Sequence, residues 1–153
     1  MKIYLAADHA GFALKETMKI WLKAKGHDVS DCGANSFDPN DDYPSFMRAA
    51  AEKVAKDSGS RGILFGGSGQ GEAMVANRVK GVRAAVYYGP AFAKASEGKG
   101  EEIIKLSREH NDANVLSLGA RFLSETEAIA AIDLWLKTPF STDPRHARRI
   151  GKF

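Results

Sequence analysis

The densest chemistry in this sequence lies at Gly66-Gly67-Ser68-Gly69-Gln70-Gly71-Glu72, four glycines in six residues followed by a carboxylate. Glycines so closely spaced let backbone N–H groups converge on an anion where a strand turns into a helix. Three familiar readings fail on the spelling. A P-loop requires Lys after its spaced glycine pair, but Glu72 stands there and would repel a nucleotide's phosphates. The dinucleotide fingerprint requires its third glycine at that same position, and a nucleophile elbow centred on Ser68 requires glycine where the chain has Gln70. What remains is a nest of donors beside a carboxylate. That pairing suits proton abstraction next to a carbonyl, with Glu72 as base and the Gly67–Gly71 N–H groups stabilising the enediolate oxygen that develops. The same residues also fit a tight strand-to-helix turn whose first-turn acid complements the helix dipole.

Other polar groups fall at comparable punctuation points. Asp8-His9 closes the first apolar run, and Arg108-Glu109-His110-Asn111-Asp112 precedes the last one, with Arg121 just beyond it. A histidine in such a place can act as acid or base near neutral pH, or can simply cap and solvate a helix end. Arg145 and Arg149 are four apart, so on a helix they share a face and could grip one phosphate; a solvated basic tail is the plainer alternative.

The elements that must position these groups alternate regularly. Lys2–Ala6, His27–Asp31, Gly62–Phe65, Val82–Tyr87 and Asn114–Leu118 read as strands. Between and after them, helical periodicity marks Gly11–Lys25, Pro44 to about Ser58, about Gly71 to Val79, and Glu125–Leu136. Strictly alternating strands and helices with continuous apolar strands predict an α/β protein: a three-layer Rossmann-like fold with a five-stranded parallel sheet and a C-terminal helix. Ligands of such sheets bind beyond the carboxyl ends of the strands. No repeat or linker divides the chain, so residues 1–153 read as a single domain.

Composition narrows the classes. The formal charge of +3 resides in the last eleven residues, where Arg145, Arg148, Arg149 and Lys152 face only Asp143, and the rest of the chain balances. A neutral body argues against a nucleic-acid-binding face and favours a small anionic ligand near the C-terminus. The first apolar run, Ile3–Ala7, is too short for a signal-peptide core or a membrane span. The lone Cys32 rules out an internal disulfide framework or a multi-cysteine zinc site, and predicts a reducing, cytoplasmic setting with Cys32 as a packing residue.

Taken together, Ala6-Ala7-Asp8-His9-Ala10-Gly11-Phe12, Asp42-Tyr43-Pro44, Gly66–Glu72 with Ala76-Asn77, Ser107–Asn114, Leu118–Arg121, Thr138-Pro139-Phe140 and Arg145–Arg149 resemble the ribose-5-phosphate isomerase B and galactose-6-phosphate isomerase family, in order and over nearly the whole chain. The resemblance implies an aldose–ketose isomerase of phosphorylated sugars that needs no cofactor and no metal. It would work as a homodimer whose two sites draw on both subunits, with a tetramer as the larger alternative. Carried onto this sequence, it implies that Glu72 is the base and that Ser68 relays the proton between the sugar oxygens. His110, with Asp8 nearby, would assist ring opening. Gly67, Gly69 and Gly71 would belong to the anion hole, and Tyr43 and Asn111 would line the sugar site. His9, Arg145 and Arg149 would hold the phosphate, with Arg121 contributing across the dimer. In much of that family the base is a cysteine aligned with Gly66, and this chain spells the branch that uses a glutamate. Ribose 5-phosphate is the expected substrate and a six-carbon aldose phosphate, allose or galactose 6-phosphate, the alternative. A non-catalytic sugar-phosphate-binding module is a third reading, against which Glu72 speaks. The stretch Gly89–Gly100 is longer than its counterparts and reads as a mobile loop.

Overall fold

Four apolar runs bounded by turn residues and the short polar segment Asp28–Asp31 become the strands of one parallel sheet in the computed structural model, which describes residues 1–89 and 99–153. The elements are β1 (Lys2–Ala7), α1 (Phe12–Ala24), β2 (Asp28–Asp31), α2 (Tyr43–Lys56), β3 (Arg61–Gly66), α3 (Gln70–Ala76), β4 (Ala84–Tyr87), α4 (Lys99–Glu109), β5 (Val115–Gly119), a 3-10 turn (Ala120–Phe122), α5 (Glu125–Lys137) and α6 (Pro144–Ile150). The strand order is β2-β1-β3-β5-β4, and every pairing is parallel.

Alternation along each strand divides the core into two sides. Ile63 and Phe65 pack with Met18, Leu22, Leu116, Ile132 and Trp135, under α1, α4 and α5. Leu64 points the other way and packs with Ala6, Met47, Ala50, Val54 and Ala76, under α2 and α3. Each fully buried large aliphatic or aromatic side chain here is worth about 1.5–3 kcal/mol relative to exposure. Among the described residues, no helix is long and apolar enough to cross a membrane.

Register decides where chemistry collects. Ala7 pairs with Phe65, Phe65 with Leu118 and Gly66 with Gly119, so Gly67 and Ala120 leave the sheet together on its carboxyl edge and Asp8 leaves it one residue earlier, beside Gly66. Residues that precede β4 and β5 stand at the opposite, amino edge.

Three boundaries differ from the sequence reading for identifiable reasons. Helix α3 stops at Ala76 because the Asn77 side chain pairs with the backbone of Ala84, accepting its N–H at 2.7 Å and donating to its C=O at 3.0 Å. Strand β4 starts at Ala84 rather than Val82, since the Arg83 N–H is taken by the Asn114 side chain at 2.8 Å. Helix α4 lies where only Ile103, Ile104 and Leu106 are apolar among mostly charged and polar residues, and Lys99 and Gly100 open it rather than ending a loop. The rest of the expected Gly89–Gly100 loop, residues 90–98, lies outside the described residues.

Candidate active site

Strand β3 delivers the glycine turn to the carboxyl edge. Gly69 adopts φ +77°, the left-handed conformation that lets α3 begin immediately, and its carbonyl accepts the Ser117 hydroxyl of β5 at 2.7 Å. Ser117 is a polar residue in an otherwise apolar strand, fully buried, and its part in pinning the turn went unread in the sequence although that break in the pattern was the available signal. Ser68 is half-buried, and its hydroxyl accepts the Gln70 N–H at 3.3 Å.

Glu72 is buried in the first turn of α3, and its carboxylate fills the space a side chain at Gly66 would need. Burial raises its carboxyl above the ordinary value, and Asp8 adds to this. The backbone N–H groups of Glu72 and Gly69 and the Arg121 guanidinium pull the other way without prevailing. Its Oε2 is buried without a hydrogen-bond partner. A desolvated carboxylate with a free lone pair is what proton abstraction from carbon requires.

Around this base stand several of the expected residues. Asp8 is buried and accepts the Gly11 N–H at 3.1 Å, fixing the start of α1. Tyr43 opens α2 with its hydroxyl packed on Gly71, only 2.7 Å from where a Cβ there would lie. Arg121 lies against Gly67, its N–H donating to the Gly67 carbonyl at 3.3 Å and its guanidinium 3.1 Å from a Cβ position on that glycine. The turn after β5 emerges beside the turn after β3, which puts Arg121 at the carboxyl edge of its own chain. His9 donates from Nδ1 to Asp41 at 2.7 Å. Asp8, His9 and Asp41 bring potential donor atoms within 4.8 Å of one another. Nδ1 and Oδ1 are already joined to each other, so the trio is a hydrogen-bonded cluster. Asp41 was missed because it is one of several acids in a polar loop.

The remaining expected residues gather elsewhere. His110, just past α4, packs its ring on His146 at 4.1 Å between centroids. Arg145 and Arg149 are exposed on α6, and Asp143 caps that helix by accepting the Arg145 N–H at 2.7 Å. The Arg145 guanidinium lies 3.3 Å from His146 Nε2, so that nitrogen accepts and Nδ1 donates to Ser141 at 2.9 Å. His146, buried next to Arg145 in the RHARR stretch, also escaped sequence reasoning. Asn111 is exposed, and its carbonyl accepts Arg83 Nε at 3.0 Å. This whole group stands at the amino edge, separated from the glycine turn by the length of β5, roughly 16 Å. Within one chain Asp8 and His110 therefore stand at opposite edges, because α4 carries the backbone from one end of the sheet to the other before His110.

Cys32 is half-buried after β2, and burial pushes its thiol up, so it stays protonated, as expected of a packing residue.

Comparison with known proteins bears on this arrangement. The family model described as Ribose/Galactose Isomerase matches residues 3–153. The chain is 43% identical to ribose-5-phosphate isomerase B of Mycolicibacterium paratuberculosis over 150 residues, covering 98% of this chain and 87% of that protein. Among solved structures, ribose-5-phosphate isomerase B of Mycoplasma genitalium with bound ribulose-5-phosphate superposes with a TM-score of 0.87 at 43% identity, covering 99% of this chain and 92% of that one. Ribose-5-phosphate isomerase B of Clostridium thermocellum gives 0.85 at 38% identity, covering 99% and 94%.

Proposed function

Since the chain belongs to the ribose/galactose isomerase family, we propose that it interconverts ribose 5-phosphate and ribulose 5-phosphate through a cis-enediolate, with Glu72 as the base. The observation that carries this is Glu72 itself, a buried carboxylate with an unpartnered oxygen beside a glycine turn. On the open-chain aldose Glu72 removes the C2 proton, the electrons move onto the carbonyl oxygen, and the N–H groups of Gly67, Gly69 and Gly71 stabilise the charge there. Ser68 relays the proton between the two oxygens, and Glu72 returns its proton to C1. C1 is reduced as C2 is oxidised, so the reaction is internally balanced and calls for no external redox cofactor. Tyr43 lines the sugar pocket, and His9 holds the phosphate, with Arg121 beside the turn adding positive charge.

The second half of the reading is a homodimer with shared sites. His110 and Asn111, with Arg145 and Arg149, belong at the same sugar as Glu72 in this reading, yet stand a strand's length away within one chain. A five-carbon sugar phosphate does not span that distance, which supports a site completed by the amino edge of a second copy. There the partner subunit's His110 donates to the ring oxygen as Asp8 takes the anomeric hydroxyl's proton. The arginine pair on α6 closes over the phosphate. A cytoplasmic setting suits an unpaired Cys32 in such an enzyme.

Two measurements test this. Purified protein is expected to convert ribose 5-phosphate to ribulose 5-phosphate with a kcat/KM well above that for allose or galactose 6-phosphate; the reverse ranking would reassign the substrate. Mixing inactive Glu72→Gln protein with inactive His110→Asn protein, followed by subunit exchange, is expected to recover about a quarter of wild-type activity, because half of the dimers then hold one intact site. No recovery despite proven exchange would place each site within one chain.

A further inference from the structure

The pair formed by His9 and Asp41 is built more deliberately than a surface contact. Asp41 comes from the loop before α2, and its side chain is only 7% exposed. One oxygen, Oδ1, accepts twice from His9, from the backbone N–H at 3.1 Å and from Nδ1 at 2.7 Å. The other, Oδ2, is buried with no hydrogen-bond partner. A carboxylate only accepts, so Nδ1 must carry hydrogen, and Nε2 is left facing out of the pair on a side chain that is 33% exposed. A buried carboxylate with an unpartnered oxygen is costly unless a cation lies against it, and the touching group able to supply that charge is the His9 ring.

The surroundings favour the same protonation state. The hydrogen bond to Asp41 raises His9 above the usual histidine value, Asp8 at the end of β1 adds to it, and partial burial and Arg121 oppose it. Two carboxylates and one guanidinium therefore face the ring, and the hydrogen-bonded carboxylate dominates. We propose that Asp41 is a positioning residue that holds His9 as an imidazolium and turns its Nε2–H outward onto the phosphate of the substrate. This rests on the reading of His9 as a phosphate ligand and deepens it. A charged donor at this point strengthens the hold on a dianion, and the carboxylate that supplies the charge stays behind the ring, away from the anion it would otherwise repel.

Asp41→Asn tests the charge alone, because Asn keeps an oxygen to accept from the His9 N–H and ring. Titration of the His9 ring by long-range nitrogen–proton NMR is expected to show the imidazolium persisting to higher pH in the wild type than in the variant. KM for ribose 5-phosphate, followed from pH 6 to 8.5, is expected to match the wild type at the acid end and to rise about tenfold above it at the alkaline end, the effect of one charge-assisted hydrogen bond. The substrate phosphate titrates identically with both proteins and cancels in the ratio. KM is expected to carry the change and kcat to move much less. An Asp41→Asn profile parallel to wild type at every pH would overturn the proposal, as would a loss confined to kcat. If the variant does not fold, the wild-type spectrum still decides, since a His9 ring lacking hydrogen on Nδ1 at pH 7 overturns it. His9→Asn separates the two levels: an unchanged KM there removes the phosphate role of His9, whereas a raised KM with a silent Asp41→Asn removes only Asp41.

Discussion

Glu72→Gln is expected to lower kcat for ribose 5-phosphate by roughly 10²- to 10⁴-fold, with sugar-phosphate affinity within a few-fold of wild type. Gln fills the same volume in the first turn of α3 and retains an oxygen to accept from the Gly69 and Glu72 N–H groups, so the glycine turn has no reason to move. What disappears is the basic lone pair. The unpartnered Oε2 is the atom with the capacity to take a proton, and no other carboxylate in the glycine turn can replace it. Exchange of the substrate's C2 hydrogen with solvent deuterium is expected to vanish in parallel with turnover, while calorimetric binding persists. A variant with full activity would remove Glu72 from the mechanism. The wild-type pH profile adds an independent check. The base acts deprotonated, and burial raises its carboxyl above the ordinary value, so activity is expected to fall on acidification at a pH above the usual glutamate range. An acid limb at or below that range would mean that the free site is wetter than its burial implies.

Much of the architecture was legible because parallel strands buried on both faces are spelled as continuous apolar runs, Lys2–Ala6 and Gly62–Phe65 above all. The glycine turn was legible too, since its failure to match three phosphate motifs pointed to the carboxylate at position 72. The helix α4 was not, because Lys99–Glu109 is mostly charged and polar and it buries Ser107 and Arg108 along with Ile104. More consequential was the end of the sheet at which each polar cluster falls. Asp8 and Arg121 follow strands, whereas His110 and Asn111 precede one, and in a parallel sheet those positions lie on opposite edges. Chain order contained that information, since a residue that follows a parallel strand and one that precedes it cannot share an edge of the sheet. Asp41 and His146 illustrate a different limit. Each is a common residue type within a polar run, and only three-dimensional packing singles out the one that touches a histidine.

Gly66→Ala is expected to impair catalysis nearly as severely as loss of the base, about 10²-fold or more in kcat, without a comparable loss of stability. A Cβ on Gly66 would coincide with Oε1 and Cδ of Glu72 and lie 2.6 Å from its Cγ. The backbone cannot yield, because Gly66 is in register with Gly119 of β5 and the strand is buried. Glu72 can, because its side chain rotates at little cost once the carboxylate is driven out of the turn. The result is a folded protein whose base points away from the substrate, so thermal unfolding is expected to stay close to wild type while kcat collapses. The same overlap bears on the cysteine that the family resemblance places at this position in other members. A side chain at the end of β3 and the Glu72 carboxylate claim one volume, so the two bases are alternatives by packing and cannot be combined here. Gly66→Cys alone is accordingly expected to be as impaired as Gly66→Ala, despite adding a nucleophilic thiol. Pairing it with Glu72→Ala removes the overlap, and that double variant is expected to regain turnover over either single change to the extent that the thiol reaches the C2 proton. Wild-type kcat in Gly66→Ala would show that Glu72 does not act from the space it occupies in this structure.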